Sequence, residues 1–385
     1  MLEYMKDRYR YIKNQCLGND IDNVIWIVDR IPKLVGFSLE KDKVRHFTPF
    51  WIVHYSLLFY IYIWGTAHYQ IYHAEEITEF IQSYMNISVL VFILDNSWWW
   101  RNQRPLLKSL LTKVKWSDDM VKRNVTLHEK HIKWIKIIKF LTGGFLGFNI
   151  LQSAFIYLPA RLNTENDFCM TNCIGMDLTY SPNKEICSVI ILIHNLCVII
   201  ICLSFQALLG ILIVHATAIY HLLAEEILQL DRDDDLERIQ VKEKLSHVIK
   251  RHIVIVDVTK DIKYLYSIPI GTNLGSNAIC ICMFFYLDLK ELFGITPLLV
   301  YCFLVFFLYC FLCQNLVNAA ELFERSVYSC GWEKFDVKEQ KAVYLMLLQA
   351  QQKFEILAAD IVPVNIYTFA TTCQFMFKLV TVIKF

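Results

Sequence analysis

Six mostly apolar stretches, near 48–68, 82–100, 137–159, 186–213, 265–287 and 293–317, alternate along the chain with charged segments. Each is close to the roughly 20 apolar residues that a helix needs to cross a bilayer. A seventh closes the chain, from about Pro363 to Phe385, and differs in kind. Thr371, Gln374, Lys378, Thr381 and Lys384 recur there at steps of three and four, one face of a helix, while residues such as Phe369, Phe375, Met376, Phe377, Leu379 and Ile383 fill the remaining faces. A wettable edge on an otherwise lipid-compatible helix must face protein or water.

The segments between the spans are patterned as well. Val337 to Ala359 puts Val343, Met346, Leu347, Ala350, Phe354, Leu357 and Ala358 on one side, which predicts an amphipathic helix outside the bilayer. The fourth apolar run passes without a breaker into Ile219–Leu228, and 236–264 reads as an amphipathic helix rising into the fifth span. The expected fold is therefore an all-α integral membrane protein of seven transmembrane helices. It is one unit over 1–385, with a cytoplasmic N-terminal segment at 1–47, cytoplasmic helices for subunit assembly at 214–264 and 318–361, and the terminal helix at 362–385.

Charge sets the orientation. Lys and Arg number nine in 1–47, ten in 101–136, eight in 214–264 and five in 318–361, against none in 69–81, two in 160–185 and one in 288–292. The basic loops belong inside, so the N-terminus is expected in the cytoplasm and the C-terminus outside, with the first span acting as its own signal. Trp98-Trp99-Trp100-Arg101 reads as an aromatic belt at the inner edge of the second span. On this orientation Asn124 and Asn86, both in Asn-x-Ser/Thr sequons, carry no glycan.

Composition agrees with the class. Of 385 residues 56% are hydrophobic and 14% aromatic, and a net charge of +1 gives no reason to expect nucleic acid. There is no Gly-rich phosphate loop, His-Glu-x-x-His or Gly-x-Ser-x-Gly elbow, so no enzyme, cofactor or metal site is expected. Of 13 cysteines, Cys169, Cys173 and Cys187 fall in or beside an outer loop where a disulfide can form, with the pairing open. Gly271 and Gly275 have the GxxxG spacing that favours close helix approach.

Three blocks carry a family resemblance. His247–Ile255 is similar to an I-x-x-H-x-x-I pattern ahead of the fifth span. Glu321, Val327-Tyr328-Ser329-Cys330 and Trp332 match an acidic turn followed by Tyr and Trp. Gln351, Ala358, Pro363, Thr368-Phe369, Phe377 and Thr381-Val382-Ile383 fall on a C-terminal series. In these the chain resembles the insect odorant receptors, strongly over about 215–385. Phe377 and Lys378 depart from the family's usual Tyr-Ser.

The resemblance implies an odorant-gated, nonselective cation channel for monovalent and divalent cations, opposite in orientation to G-protein-coupled receptors. It implies a heterotetramer with an odorant co-receptor, in the plasma membrane of an olfactory neuron's dendrite, around a pore lined by the last helix. Gln374, Lys378, Thr381, Val382 and Phe385 are the pore or gate candidates. By alignment Val382 resembles the hydrophobic gate residue, whereas the polar stripe points Thr381 inward; adjacent helical positions differ by about 100°, so both cannot be central. Lys378 either faces the pathway or pairs between helices.

The implied ligand is a small volatile in the outer half of the bundle, among the second, third, fourth and sixth spans. The candidates there are Tyr84, Ile87 and Ser88; Phe148, Gln152 and Phe155; Ile190 and His194; and Tyr301. For His194 a satisfied interhelical histidine is the plainer alternative. A gustatory-type channel is the runner-up reading, ahead of a metabotropic seven-helix receptor or a transporter.

Overall fold

The structure is a computed structural model and describes residues 2–33, 48–72, 77–122, 125–162, 181–232, 238–285 and 289–384. Helices account for nearly all of it. On the inner side α1 (Leu2–Leu17) and α2 (Ile21–Lys33) precede the first span, and α2 buries Ile21, Val24, Ile25 and Val28 completely. These positions form one helical face, so this N-terminal segment is part of the packed body.

The first span is a single rod made of α3 (Thr48–Leu57), a π-helical stretch at Leu58–Trp64 and α4 (Gly65–Tyr72). It is followed by α5 (Ile77–Asn102), α6 (Arg104–Lys122) and α7 (Val125–Leu162), and then by α8 (Asn183–Arg232), α9 (Arg238–Phe284) and α10 (Leu289–Tyr328). At 50 residues α8 is about 75 Å long, far more than a hydrocarbon core of about 30 Å, so it continues well below the membrane as its unbroken sequence predicts. From Ile201 to Tyr220 every residue but Gly210 is buried, which makes α8 the axis on which α10, α7, α9, α5 and α2 pack. An apolar pattern on all faces is what a central helix requires.

Among the described residues five helical segments are long and apolar enough to cross a bilayer: Phe50–Tyr72, Leu127–Gln152, Glu185–Leu230, Gln240–Phe284 and Thr296–Lys334. The other two expected spans are α5 and the terminal helix α12 (Ile366–Lys384). In α5 several polar side chains bond locally or to neighbours, although Asn96 Oδ1 is buried without a partner among the described residues. Asn96 Nδ2 donates to Phe92 O (2.9 Å), Ser97 Oγ to Ile93 O (2.7 Å), and Thr272 Oγ1 of α9 donates to Asp95 Oδ2 (2.7 Å).

Three expectations need correction. The helix expected to run to Ala359 ends at Ala350 as α11 (Val337–Ala350). A small antiparallel hairpin follows, Leu357–Ala358 against Val362–Pro363, with Ala359 and Asp360 at φ of 50° and 56°. Pro363 opposes helix nearby, and the hairpin's amides find other acceptors, Ala359 N donating to Ser267 O of α9 at 2.8 Å. Second, the close approach at Gly271 is made by this hairpin and not by a helix. A Cβ there would lie 2.8 Å from Ala359 Cβ, whereas one at Gly275 would meet nothing within 4 Å.

Third, the tryptophans divide. Trp98 is exposed, but Trp99 and Trp100 are buried, their Nε1–H groups donating to Leu265 O (2.8 Å) and Ile201 O (3.1 Å). Satisfied N–H groups let both indoles serve as core, so only Trp98 retains the belt reading. Asn124, Cys169 and Cys173 lie outside the described residues, and Asn86 falls within α5. Cys187 is buried and disulfide-bonded.

Candidate functional site

In the membrane half, neutral polar pairs join the helices. His54 Nε2 lies 3.0 Å from Ser97 Oγ. Since the Ser97 hydroxyl gives its proton to Ile93 O, His54 donates through Nε2, and its Nδ1 is left as a bare acceptor with no partner among the described residues. His194 of α8, 1% exposed, packs 5.3 Å from the His54 ring and 6.1 Å from that of Tyr62. Tyr62 in turn reaches Asn195 Oδ1 at 3.4 Å. His194 is thus interhelical.

Two further joints lie elsewhere in the bundle. Ser88 Oγ of α5 meets Ser276 Oγ of α9 at 2.9 Å, and Ser276 donates to Ser88 O at 3.0 Å. Tyr301 of α10 donates to Gln206 Oε1 of α8 at 2.9 Å. Gln206 Nε2 and the Tyr309 hydroxyl are buried without hydrogen-bond partners among the described residues. Both line a cavity of about 50 Å3 between α7, α8 and α10, whose other walls include Thr142, Phe145, Gly210 and Leu312. Apolar walls with two unsatisfied donors suit a small molecule bearing a hydrogen-bond acceptor. The volume is well under the ~300–1,000 Å3 usual for ligand pockets, so anything larger must spread the helices.

The sequence-derived ligand residues fall at several places around this frame. Gln152, His194 and Ser88 are buried, Phe148, Ile190 and Tyr301 are partly buried, and Tyr84 and Ile87 are exposed on the outside of α5. The side chain of Phe155 lies outside the described residues. Ser88, His194 and Tyr301 engage three different partners. The cavity sits lower, one to two turns from Phe148 and about two from Tyr301. His54, Ser97, Gln206 and Tyr309 were missed, and the available signal was a polar group within an apolar run.

The terminal helix is capped by Asn365, whose Oδ1 accepts from Thr368 N at 2.8 Å. Its inner side packs on α10, with Phe369 edge-on to Phe306 and Phe307, and Met376 is buried. Gln374 and Lys378 are exposed alongside Phe375 and Phe377, and Thr381 turns its hydroxyl to Lys378 O (2.8 Å). This chain leaves that face uncovered. The side chains of Val382 and Phe385 lie outside the described residues.

Below the membrane the chemistry changes to matched charge. Asp118 of α6, fully buried, accepts from His131 Nε2 of α7 at 2.6 Å, with His215 Nε2 of α8 at 3.7 Å and Lys122 Nζ at 3.1 Å from its carboxylate. Burial alone would raise the Asp118 pKa; the hydrogen bonds and charges of both histidines outweigh it and hold the carboxyl far below its usual range. Lys122 also meets Asp20 and Asp119, each at 3.1 Å. Burial would lower its pKa, but the carboxylates, Asp118 first, raise it above the ordinary lysine value.

The sequence matches the family described as 7tm Odorant receptor over residues 75–377. Curated relatives include Odorant receptor 49a of Drosophila melanogaster, 21% identical over 145 residues, which are 36% of this chain and 37% of that one. Putative odorant receptor 59c of the same organism is 24% identical over 170 residues, 42% of this chain and 41% of the relative. The chain thus spans about two-fifths of the length of these relatives. Among solved structures, the insect olfactory receptor OR5 from Machilis hrabei superposes with a TM-score of 0.80 at 15% identity, covering 94% of this chain and 98% of that one. The same receptor in complex with eugenol gives 0.77 at 16% identity, over 94% and 97%. At such identity the likeness establishes the fold.

Proposed function

The chain belongs to the 7tm odorant receptor family, a multi-pass membrane protein of the insect olfactory receptor fold, and from that premise we propose that it is the ligand-tuned subunit of an odorant-gated cation channel. The observation that carries the reading is α12, an apolar terminal helix whose Gln374 and Lys378 are left exposed by its own chain. Such a face calls for neighbouring subunits or a water-filled path. In this reading four terminal helices surround a pore, and the odorant co-receptor supplies the remaining subunits. Val382 or Thr381 forms the constriction.

The ligand is a small volatile held in the membrane half between α5, α7, α8 and α10, with Gln152, His194 and Tyr301 as orienting polar groups and Gln206 joining them. That the Machilis receptor of this fold binds eugenol supports a ligand of this size. The cavity beside Gln206 is small, so occupancy favours a spread bundle. A ligand that binds the spread form better shifts the population towards it, which is all that gating requires.

The test is whole-cell current from cells expressing this chain, the co-receptor, or both, with a panel of volatiles and no added nucleotide. A fast cation current that needs both chains and a particular volatile supports the proposal. With surface expression verified, silence in every arm would reject it, and current from this chain alone would reject the tuning-subunit role.

A further inference from the structure

On the cytoplasmic side several of the cations between packed helices are matched to a carboxylate. Lys113 pairs with Asp261 (2.8 Å), Lys115 with Asp22 (2.8 Å), Lys122 with Asp118, and Lys130 and Arg251 with Glu225 and Glu226. Lys260, Lys263 and Lys353 are different. They line a single cavity of about 180 Å3 bounded by α9, α10 and the stretch that follows α11, and none makes an ion pair among the described residues. The buried floor of the cavity mixes His252 (3% exposed) and Thr259 (1%) with Tyr220 and Phe323, while Lys260, Lys353 and Glu355 stand exposed at its mouth. Glu355 also lines it, so three ammonium groups face one carboxylate.

Its depth is informative. Lys263 and Lys260 precede the fifth apolar run at 265 by two and five residues, about 3 and 8 Å along the helix. The polar headgroup zone of a bilayer is about 5–8 Å thick on each side, so both ammonium groups lie at the level of inner-leaflet headgroups. Unpaired lysines gathered in a cavity at that depth, between helices, form a receptor for clustered negative charge.

We propose that this cavity binds the headgroup of a multiply phosphorylated inner-leaflet lipid, a phosphoinositide. Lys260 and Lys263 take phosphate groups from α9, and Lys353 closes over them from the far side. Polar groups at the floor accept hydrogen bonds from, or donate them to, the inositol ring. Because Lys353 and Glu355 belong to the link between α11 and the hairpin, the bound lipid ties α9 to the segment that leads into α12.

The experiment uses the full-length protein purified and placed in phosphatidylcholine nanodiscs with or without phosphatidylinositol 4,5-bisphosphate, retention being read by native mass spectrometry. The wild type is expected to retain the bisphosphate lipid in preference to phosphatidylcholine, and to lose it as salt is raised. Lys260→Gln, Lys263→Gln and Lys353→Gln should each weaken retention about fivefold, and Glu355→Gln should tighten it. Lys338→Gln with Lys341→Gln, exposed on α11, should leave it unchanged. Thermal melting of each variant without the lipid separates lost binding from lost folding.

Equal retention by the triple lysine variant would overturn the site. So would an equal loss in the α11 control, which would reduce the effect to general surface charge. Equally tight binding of soluble inositol trisphosphate to protein in plain phosphatidylcholine would overturn the lipid as the source. Loss of the lipid on assembly with the co-receptor would assign the lysines to a subunit interface instead.

Discussion

The inner and outer halves of this receptor are built from the same long helices but joined by different chemistry. Below the membrane, α6, α7, α8 and α9 are tied by ionisable groups: Asp118 with His131 and Lys122, Lys130 with Glu225, Arg251 with Glu226, Lys113 with Asp261. Within the membrane the joints are mostly neutral, Ser88 to Ser276, His54 to Ser97 and Tyr301 to Gln206, and several buried polar atoms near them have no partner among the described residues. The buried pairs, those at Asp118 and Arg251 with Glu226, are hard to part, because either member left alone is strongly destabilised, whereas Lys130–Glu225 and Lys113–Asp261 are partly exposed and add little. Neutral hydrogen bonds between spanning helices average only about 0.6 kcal/mol. The difference teaches how one bundle can be rigid at its base and yielding in its membrane half, where the proposed ligand would sit.

The contrast breaks most sharply at Asp118. Replacing it with Ala leaves the Lys122 and histidine partners without their buried carboxylate, and the loss should be about 3–5 kcal/mol. Reduced surface expression and a lower melting temperature of the purified protein would report it; a loss under ~1 kcal/mol would show that the inner layer is no stiffer than the outer. Linkage gives the pH sense. The Asp118 pKa is depressed, so its contribution is present above the reference value of 3.8 and is lost as pH falls through the folded value. The Lys122 pKa is raised, so its contribution is present below 10.5 and is lost as pH rises through the folded value. Melting between about pH 5 and 9 should therefore show no change attributable to this pair.

The next effect in size lies at the junction of the two halves. Gly271→Val forces a side chain into Ala359 and the backbone of the hairpin, where a Cβ alone would already come within 2.9 Å of Ala359 N. Displacing the hairpin should cost about 1–3 kcal/mol and lower ligand-evoked current more than surface expression. Gly275→Ala, four residues on, meets nothing within 4 Å and is the control, neutral or slightly stabilising. Equal effects at the two glycines would remove the hairpin from the account.

Much of the fold was legible because lipid imposes a length and a pattern that a sequence displays directly. The run from 186 onward contains no breaker, and α8 extends to Arg232 accordingly. The hairpin was not legible: Phe354, Leu357 and Ala358 continue the apolar spacing of α11, yet the helix ends at Ala350 and the chain docks instead at Ser267 and Gly271, some ninety residues earlier. Trp99 and Trp100 were misread for the same reason, since the carbonyls that satisfy them belong to residues 265 and 201. At the candidate ligand site the sequence supplied polar residue types but not facing. Tyr84 and Ser88 are one turn apart, yet one is exposed and the other buried.

The smallest effect on stability, and the most specific for ligand, should come from the neutral joints. Tyr301→Phe removes the donor to Gln206 Oε1 and leaves an acceptor that can turn its amide, so the cost to folding should be near 0.6 kcal/mol and at most about 1.7. The same change frees Gln206 to rotate beside a cavity lined by its own Nε2 and by Tyr309, altering which acceptor-bearing molecules can be held. The measurement is a pair of concentration–response curves for two active volatiles of similar size, one with a carbonyl or ether oxygen and one without. The ratio of their half-maximal concentrations should move severalfold while the melting temperature hardly changes. A large fall in melting temperature with an unchanged ratio would make the Tyr301–Gln206 joint part of the scaffold, and would move the yielding region up towards His54 and His194.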